Sequence, residues 1–345
     1  MVRLSDYTTL RLGGTAETFV SPGSEEEVIA EVRAADARGE PVLILGGGSN
    51  LVVGDGPVPG TVIKLGAGLD ALRVEREGDF VRFEAGAGLS WDAFVAQAIA
   101  AGASGLEALS GIPGLVGATP MQNVGAYGQE VADTLTSLRA FDRKDDCIRT
   151  FTNAECGFGY RHSRFRNDPR FVILSVLFRA PASVQSAPIA YDELAQALGV
   201  AKGERAPAAQ VRDTVIALRR KKGMVLDPAD PDSVSAGSFF TNPIVDDVEA
   251  VRARVRAELG PDAKMPEFPM PDGRTKLAAA WLIERAGFPK GYGEGPVGIS
   301  SKHTLALVHR GGGTTAQLLE LARTIQQGVS ARFGVSLTPE PIFVG

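Results

Sequence analysis

Cysteine is scarce in this chain: there are two in 345 residues, Cys147 and Cys156. Two thiols in so long a chain make neither a disulfide framework nor a metal knuckle, and they read as reduced and structural. Histidine is hardly commoner. His162, His303 and His309 are scattered without metal-ligand spacing, so no metal site is expected and redox or group chemistry has to use an organic cofactor. No run has the length and apolarity of a membrane span, and Met1-Val2-Arg3-Leu4-Ser5-Asp6 lacks the apolar core of a secretory signal, which points to a cytoplasmic protein. A formal net charge of −5 argues against a nucleic-acid scaffold, despite the local patch Arg219-Arg220-Lys221-Lys222. Also missing are a G-x-S-x-G nucleophile elbow, the Gly-Lys-Ser/Thr of a P-loop, the G-x-G-x-x-G spacing, internal repeats and low-complexity tracts.

What the chain does have is glycine in two concentrated places. Gly46-Gly47-Gly48-Ser49-Asn50 follows the apolar run Val42-Leu43-Ile44-Leu45. A second run extends from Ser110-Gly111-Ile112-Pro113-Gly114 to Gln122-Asn123-Val124-Gly125-Ala126-Tyr127-Gly128. Small residues and uncovered backbone N–H groups let a main chain approach a pyrophosphate, so two such loops suggest both walls of a dinucleotide cleft. Leu51-Val52-Val53 continues the first loop as strand rather than helix, which argues against an ordinary Rossmann domain.

The pattern predicts an α+β chain. Ser24 with Glu27 forms a capping box ahead of a helix through Val28, Val32 and Ala35, stopped by Gly39. Strand-like runs follow at 41–45, 61–65 and 81–85. Ser90 is expected to cap a helix bearing Trp91, Phe94 and Val95, and residues 208–222 form an amphipathic helix whose cationic cluster sits where the helix dipole favours it. Lys276 to Ala286 and 314–333 read as further helices, the second ended by Gly334. Asp227-Pro228-Ala229-Asp230-Pro231-Asp232 is the best linker. The expected division is 1–67, then 68–228 with 331–345 returning to it, then 229–330.

Single residues carry less weight. Ser238 lies among small residues beside two phenylalanines, where a shielded hydroxyl can donate a proton, although a turn serine capping backbone is the plainer reading. Glu340 sits between Pro339 and Pro341, a rigid mount for a carboxylate or simply a solvent-facing acid. Arg161, after Tyr160 in a Gly-rich loop, suits a substrate carboxylate, and Lys222 suits a diphosphate or merely ends a helix. Tyr191, at a helix start, suits a sugar or phosphate or plain packing.

Order and spacing change that weight. TLRLGG at 9–14, GGGSN at 46–50, GIPG at 111–114, QNVGAYG at 122–128, CGFGYRHSRF at 156–165, AGSFFTNP at 236–243 and PEPIFVG at 339–345 together resemble the UDP-N-acetylenolpyruvoylglucosamine reductases, the MurB-type flavoenzymes, in their longer form. The resemblance implies the fold of vanillyl-alcohol-oxidase-type FAD proteins, with a two-part FAD-binding module and a separate α+β substrate-binding domain. It implies non-covalent FAD contacted by Gly46, Gly47, Gly48, Ser49, Asn50, Leu51, Ser110, Ile112, Pro113, Gly114, Gly117, Ala118, Gln122, Asn123, Gly125, Ala126, Tyr127, Gly128 and Val172. It also implies hydride transfer from NADPH to FAD and from reduced FAD to C3 of UDP-N-acetylglucosamine enolpyruvate, in peptidoglycan precursor synthesis. Arg161 and Glu340 match the residues that stabilise charge on the substrate carboxylate, and Ser238 matches the acid that protonates C2. Tyr191, Lys222, Asn242 and Lys276 match substrate positions, Tyr191 on a substrate-closing loop. NADPH and the enolpyruvyl sugar are the expected partners, with no nucleic acid or membrane, and the protein is expected to be a monomer.

Two departures from the family pattern stand out. Thr8 replaces a common Asn, and Pro341-Ile342 replaces the Val-Arg that commonly follows the glutamate, an expected flavin contact for which Arg11 or another cation is expected to compensate. Another FAD oxidase or dehydrogenase of the superfamily would share the glycine loops but has no reason to carry AGSFF with a late carboxylate. A non-catalytic nucleotide-sugar binder has no use for an acid at Ser238.

Overall fold

The computed structural model describes residues 1–345, which divide into two compact units. The first contains 1–2, 16–48 and 59–221, and the second contains 3–15, 49–58 and 222–345. No helix is long and apolar enough to cross a membrane.

In the first unit, Ser24 caps helix Glu25–Ala37 by accepting from the Glu27 N–H, while the Glu27 carboxylate reaches back to the Gly23 N–H. The helix turns Val28, Ile29 and Val32 inward beside a sheet in which Thr15–Val20, Val58–Lys64 and Val42–Leu45 are neighbours, the last two parallel. Parallel pairing requires a crossover, and here it places the Gly-rich loop at the end of Val42–Leu45. A five-stranded antiparallel sheet follows, ordered Cys147–Thr152, Leu135–Asp142, Phe171–Pro181, Phe80–Gly86, Leu72–Glu77. Helix Trp91–Ala100 covers it through an aromatic cluster in which the Phe94 and Phe178 rings lie 4.7 Å apart and Phe83 meets Phe94 edge-on.

The expected boundary at residue 67 does not separate two cores. Val28, Val32, Ile63 and Leu65 share one buried cluster with Phe141, Val172 and Leu174, so the two flavin-module halves are fused. A satellite cluster of Ile189, Leu194, Val211, Val215 and Leu218 joins helices Asp192–Leu198 and Ala208–Lys221 into an arm.

The second unit is built on helix Thr315–Phe333, whose Thr314 forms a complete capping box with Gln317 and whose Gly334 closes it at φ +70°. Leu318, Ile325, Val329 and Phe333 pack with Val255, Leu282, Ile283 and Phe239. Two three-stranded antiparallel sheets complete it, one of Ser235–Ser238, Ala306–His309 and Val297–Ile299, the other of Ile244–Val245, Thr275–Leu277 and Glu267–Pro269.

Three expectations change. Residues 276–278 are not helical: Lys276 lies in a central strand paired with Ile244 on one side and Phe268 on the other, and the helix begins only at Ala279. Ser90 makes no side-chain cap; the N–H of Trp91, the first helical residue, donates to the Gly114 carbonyl at 3.0 Å. The C-terminal residues do not return to 68–228. Ile342–Val344 pairs in parallel with Leu51–Val53 inside the second unit.

Asp142 closes the hairpin of Leu135–Asp142 and Cys147–Thr152. Its fully buried carboxylate accepts from Arg170 Nε and Nη2 at 2.7 and 2.6 Å and from the N–H groups of Lys144 and Asp145. The Arg170 hydrogen bonds, helped by those backbone donors, hold its carboxyl down to about 2. A depressed carboxyl contributes stability that is complete above its unfolded value, about 3.9, and disappears as pH falls through the folded value. Asp142→Asn should therefore cost about 1–3 kcal/mol at neutral pH. In urea unfolding between pH 7 and 2, the gap between variant and parent should close only below about pH 4.

Candidate functional site

The strand Val42–Leu45 delivers Gly46, Gly47 and Gly48 directly onto the second Gly-rich run. A Cβ on Gly47 would lie 2.7 Å from Gly114 Cα, and one on Gly46 would touch Leu115 and Ala118 at 3.7–3.9 Å. Real side chains do not fit the first of these gaps, so the two loops meet backbone to backbone. Gly48 and Gly114 hold φ of +61° and +119°. After Gly48 the chain passes into the second unit, where the Asn50 carbonyl accepts from Ile342 N–H at 2.9 Å.

The second run is anchored from below. Ser110 Oγ donates to the Glu107 carbonyl, the Gly111 N–H donates to Asp92 Oδ1 at 2.6 Å, and Gly117 packs so closely on Ala87 that a Cβ would sit 2.6 Å from its methyl. The buried Asn123 has its side chain committed: Nδ2 donates to Glu130 Oε2 and the Gly159 carbonyl, and Oδ1 accepts from Ala132 N–H. Ser110, Gly117, Asn123 and Val172 are buried, Val172 within the core. The side chains of Ser110, Asn123 and Val172 thus serve the fold. Ile112, Pro113, Gly114, Ala118, Gln122 and Gly125–Gly128 remain partly or fully exposed along the run. Gly125–Ala126 and Gln129–Glu130 form a hairpin whose turn residues Tyr127 and Gly128 both have positive φ, +49° and +87°. That is the turn geometry whose twist suits a two-residue hairpin, and a tyrosine held in it is strained.

Arg161 is strained in the same way, at φ +51° in the tight turn between Gly159 and His162. Its Nη2 donates to the Gly125 carbonyl at 2.7 Å and its guanidinium lies 5.2 Å from the Tyr160 ring centroid. Arg166 Nη1 donates to the Arg161 carbonyl. The arm brings Tyr191 to the same hairpin. Its ring meets Tyr127 edge-on at 6.1 Å, and it is 47 % exposed at the start of helix Asp192–Leu198. Any Cβ on Gly128 would collide with Ala190 at 2.7 Å, so glycine there is what admits the arm.

Asp92 and Arg212 gave no sign in the sequence because they lie 120 residues apart. Arg212 forms a bidentate pair with Asp92 at 2.6 and 2.8 Å, and this same carboxylate holds Gly111. Burial pushes the Asp92 carboxyl up, but Arg212 and the Gly111 N–H outweigh it and hold it below the usual range. Arg219 is not a solvated member of a helix-end cluster. Its Nε is shut off from solvent, and burial brings the guanidinium down to about 10 against the opposing pull of Tyr127 and Asp92.

In the second unit, Ser238 ends a strand at the register position of Ala306, and the Phe239 N–H donates to the Leu305 carbonyl at 2.7 Å. The Glu340 N–H donates to the Phe239 carbonyl at 2.9 Å, and Phe240 bridges to Pro339. Ser238 and Glu340 are thus brought onto adjoining backbone, above the buried rings of Phe239 and Phe240. Asn242 Oδ1 caps helix Ala279–Arg285 by accepting from the Ala279 N–H, and Lys276 Nζ lies 5.9 Å from the Phe268 ring. Lys222 follows helix Ala208–Lys221 directly. Thr8 Oγ1 donates to the Leu12 carbonyl, and Arg11 is exposed at φ +52° between buried Leu10 and Leu12.

Residues 16–150 match the family model for an FAD-binding domain, and residues 228–344 match that for the C-terminal domain of UDP-N-acetylenolpyruvoylglucosamine reductase. The bare backbone where Gly47 meets Gly114 fits such a dinucleotide. The chain is 55% identical to the UDP-N-acetylenolpyruvoylglucosamine reductase of Thermobifida fusca, over 100% of this chain and 97% of that one. It is 53% identical to that of Streptomyces avermitilis, over 99% and 93%. Among solved structures it is similar to the UDP-N-acetylenolpyruvylglucosamine reductase of Thermus caldophilus, with 26% identity, a TM-score of 0.64 and 100% and 98% of the two chains covered. A solvent-stable cholesterol oxidase shares the fold at 13% identity and TM-score 0.51, over 96% and 85% of the chains. The chain therefore belongs to the UDP-N-acetylenolpyruvoylglucosamine reductase family, α+β oxidoreductases with an FAD-binding domain.

Proposed function

We propose that the protein reduces UDP-N-acetylglucosamine enolpyruvate to UDP-N-acetylmuramate at the expense of NADPH, in peptidoglycan precursor synthesis. FAD, when bound, supplies the hydride relay from NADPH to C3 of the enolpyruvyl group. Gly46–Leu51 and the exposed backbone of 112–128 hold the cofactor. The observation that carries the reading is the clamp of Phe239 between Leu305 and Glu340, which sets Ser238 and Glu340 on adjoining backbone.

Ser238 donates its hydroxyl proton to C2 as hydride reaches C3, the carbon–carbon double bond becoming a saturated lactyl group. Arg161, with Glu340 sharing or holding a proton rather than presenting a bare charge, stabilises the charge that builds on the carboxylate next to C2, and the Gly125 carbonyl fixes the direction of the Arg161 guanidinium. Tyr191 covers the nucleotide-sugar, with Lys222, Asn242 and Lys276 holding the diphosphate and nucleotide. An oxidase on the same fold is disfavoured because it needs no proton donor at Ser238.

The direct test is the visible spectrum of the FAD-loaded protein under anaerobic conditions. NADPH should bleach the flavin bands and the enolpyruvyl sugar should restore them, whereas bleaching without recovery would point to another acceptor. Ser238→Ala should leave bleaching intact and slow recovery by about 10²–10⁴. Tyr191→Phe should weaken substrate binding roughly fivefold, the loss of one hydrogen bond worth about 1 kcal/mol. Gly47→Ala should prevent FAD loading while circular dichroism stays unchanged, since the methyl has to enter the Gly114 backbone.

A further inference from the structure

Glu107 is fully buried, stands just ahead of the second Gly-rich run, and has no part in the chemistry above. Its carboxylate receives four N–H donors. On Oε2 it accepts from the backbone of Gly105 at 2.6 Å and Leu106 at 3.0 Å. On Oε1 it accepts from Gln129 Nε2 at 2.9 Å and from the Ala187 backbone at 2.8 Å. Gln129 completes the circuit by accepting the Ala108 N–H on its own Oε1 at 2.8 Å. One side chain thus joins the approach to the Gly-rich run, the residue just past its end, and the base of the arm that carries Tyr191.

We infer that Glu107 is a positioning residue that couples the cofactor loop to the Tyr191 arm. Both oxygens face donors only, so no amide can replace the carboxylate without cost. A glutamine must turn its NH₂ toward either the Gly105–Leu106 pair or the Gln129–Ala187 pair. Reversing Gln129 does not help, because Ala187 still faces a donor and Ala108 then loses its acceptor. A buried network satisfied in full is rigid, and one satisfied in part loosens every segment it joins. Two further contacts run the same way between loop and arm, Arg212–Asp92–Gly111 and Tyr191 against Tyr127, so a disturbance at Glu107 has elements to act on. The consequence for substrate affinity rests on the reading of Tyr191 proposed above, whereas the coupling itself does not.

Hydrogen–deuterium exchange on the FAD-loaded full-length protein tests it without substrate. In Glu107→Gln, peptides covering 105–111 and 187–206 should both exchange about tenfold faster than in the parent, with 171–181 unchanged as the internal control. Gln129→Met, which removes one donor and one acceptor and leaves the carboxylate, should accelerate the same two segments to a smaller degree, and it carries the test if Glu107→Gln does not fold. In the loaded enzyme, KM for the enolpyruvyl sugar should rise more than kcat falls. Faster exchange in 105–111 alone would overturn the coupling, as would acceleration throughout the sheet or no change in either variant. An altered KM with unchanged arm exchange would equally overturn it. Coupled exchange with no effect on KM would leave Glu107 in place and fail the substrate role of Tyr191 instead.

Discussion

The first unit depends on a place where side chains are forbidden. Gly47 and Gly114 meet at a separation that a single Cβ would fill, so two loops more than sixty residues apart in sequence are pressed main chain to main chain. Everything around that contact keeps it in place. The parallel strand pair aims the first loop, while the Trp91 N–H on the Gly114 carbonyl and Asp92 on the Gly111 N–H hold the second. Backbone that is pinned in this way and carries no side chain is already organised for an anionic ligand, which then has little ordering cost to meet.

Strain collects close by. Tyr127 and Arg161 both hold left-handed backbone that disfavours large side chains, and they meet at the Gly125–Glu130 hairpin, where Arg161 Nη2 takes the Gly125 carbonyl. Tyr127 presents its ring to Tyr191 on the arm, and the arm is held at its base by Glu107 and along its helix by Arg212. The arm has its own small core, yet it is stitched to the cofactor run at three points. This arrangement joins the proposed cofactor-binding and substrate-covering parts within one unit.

Legibility in the sequence followed the range of the interactions. Helix Thr315–Phe333 was readable to within a residue because its capping box and its glycine stop are local. Lys276 was misread because its strand is fixed by partners at 244 and 268, and the Asn242 side chain that starts the next helix is 37 residues away. The basic cluster at 219–222 was read from the helix dipole alone, which misses the burial of Arg219, whose guanidinium is lowered by desolvation against the pull of Tyr127 and Asp92, residues remote in sequence. Glu107 gave no signal at all, since its donors are spread from 105 to 187. Resemblance, not residue chemistry, supplied the cofactor positions. For Val172 and the Asn123 side chain it named residues whose atoms serve the core and the loop.

The parallel pairing of Leu51–Val53 with Ile342–Val344 has a consequence during synthesis. At about 5–20 residues per second, the ribosome needs roughly 15–60 s to travel from one strand to the other. Through that interval the first unit waits only for its own residues up to 221, whereas Leu51, Val52 and Val53 emerge early with their partner unmade. Val52 and Val53 are destined for burial and meanwhile form an unpaired apolar edge. A nascent chain can thus complete its glycine contact well before it possesses Glu340, while Leu10, Leu12 and Val52 still await the core that buries them.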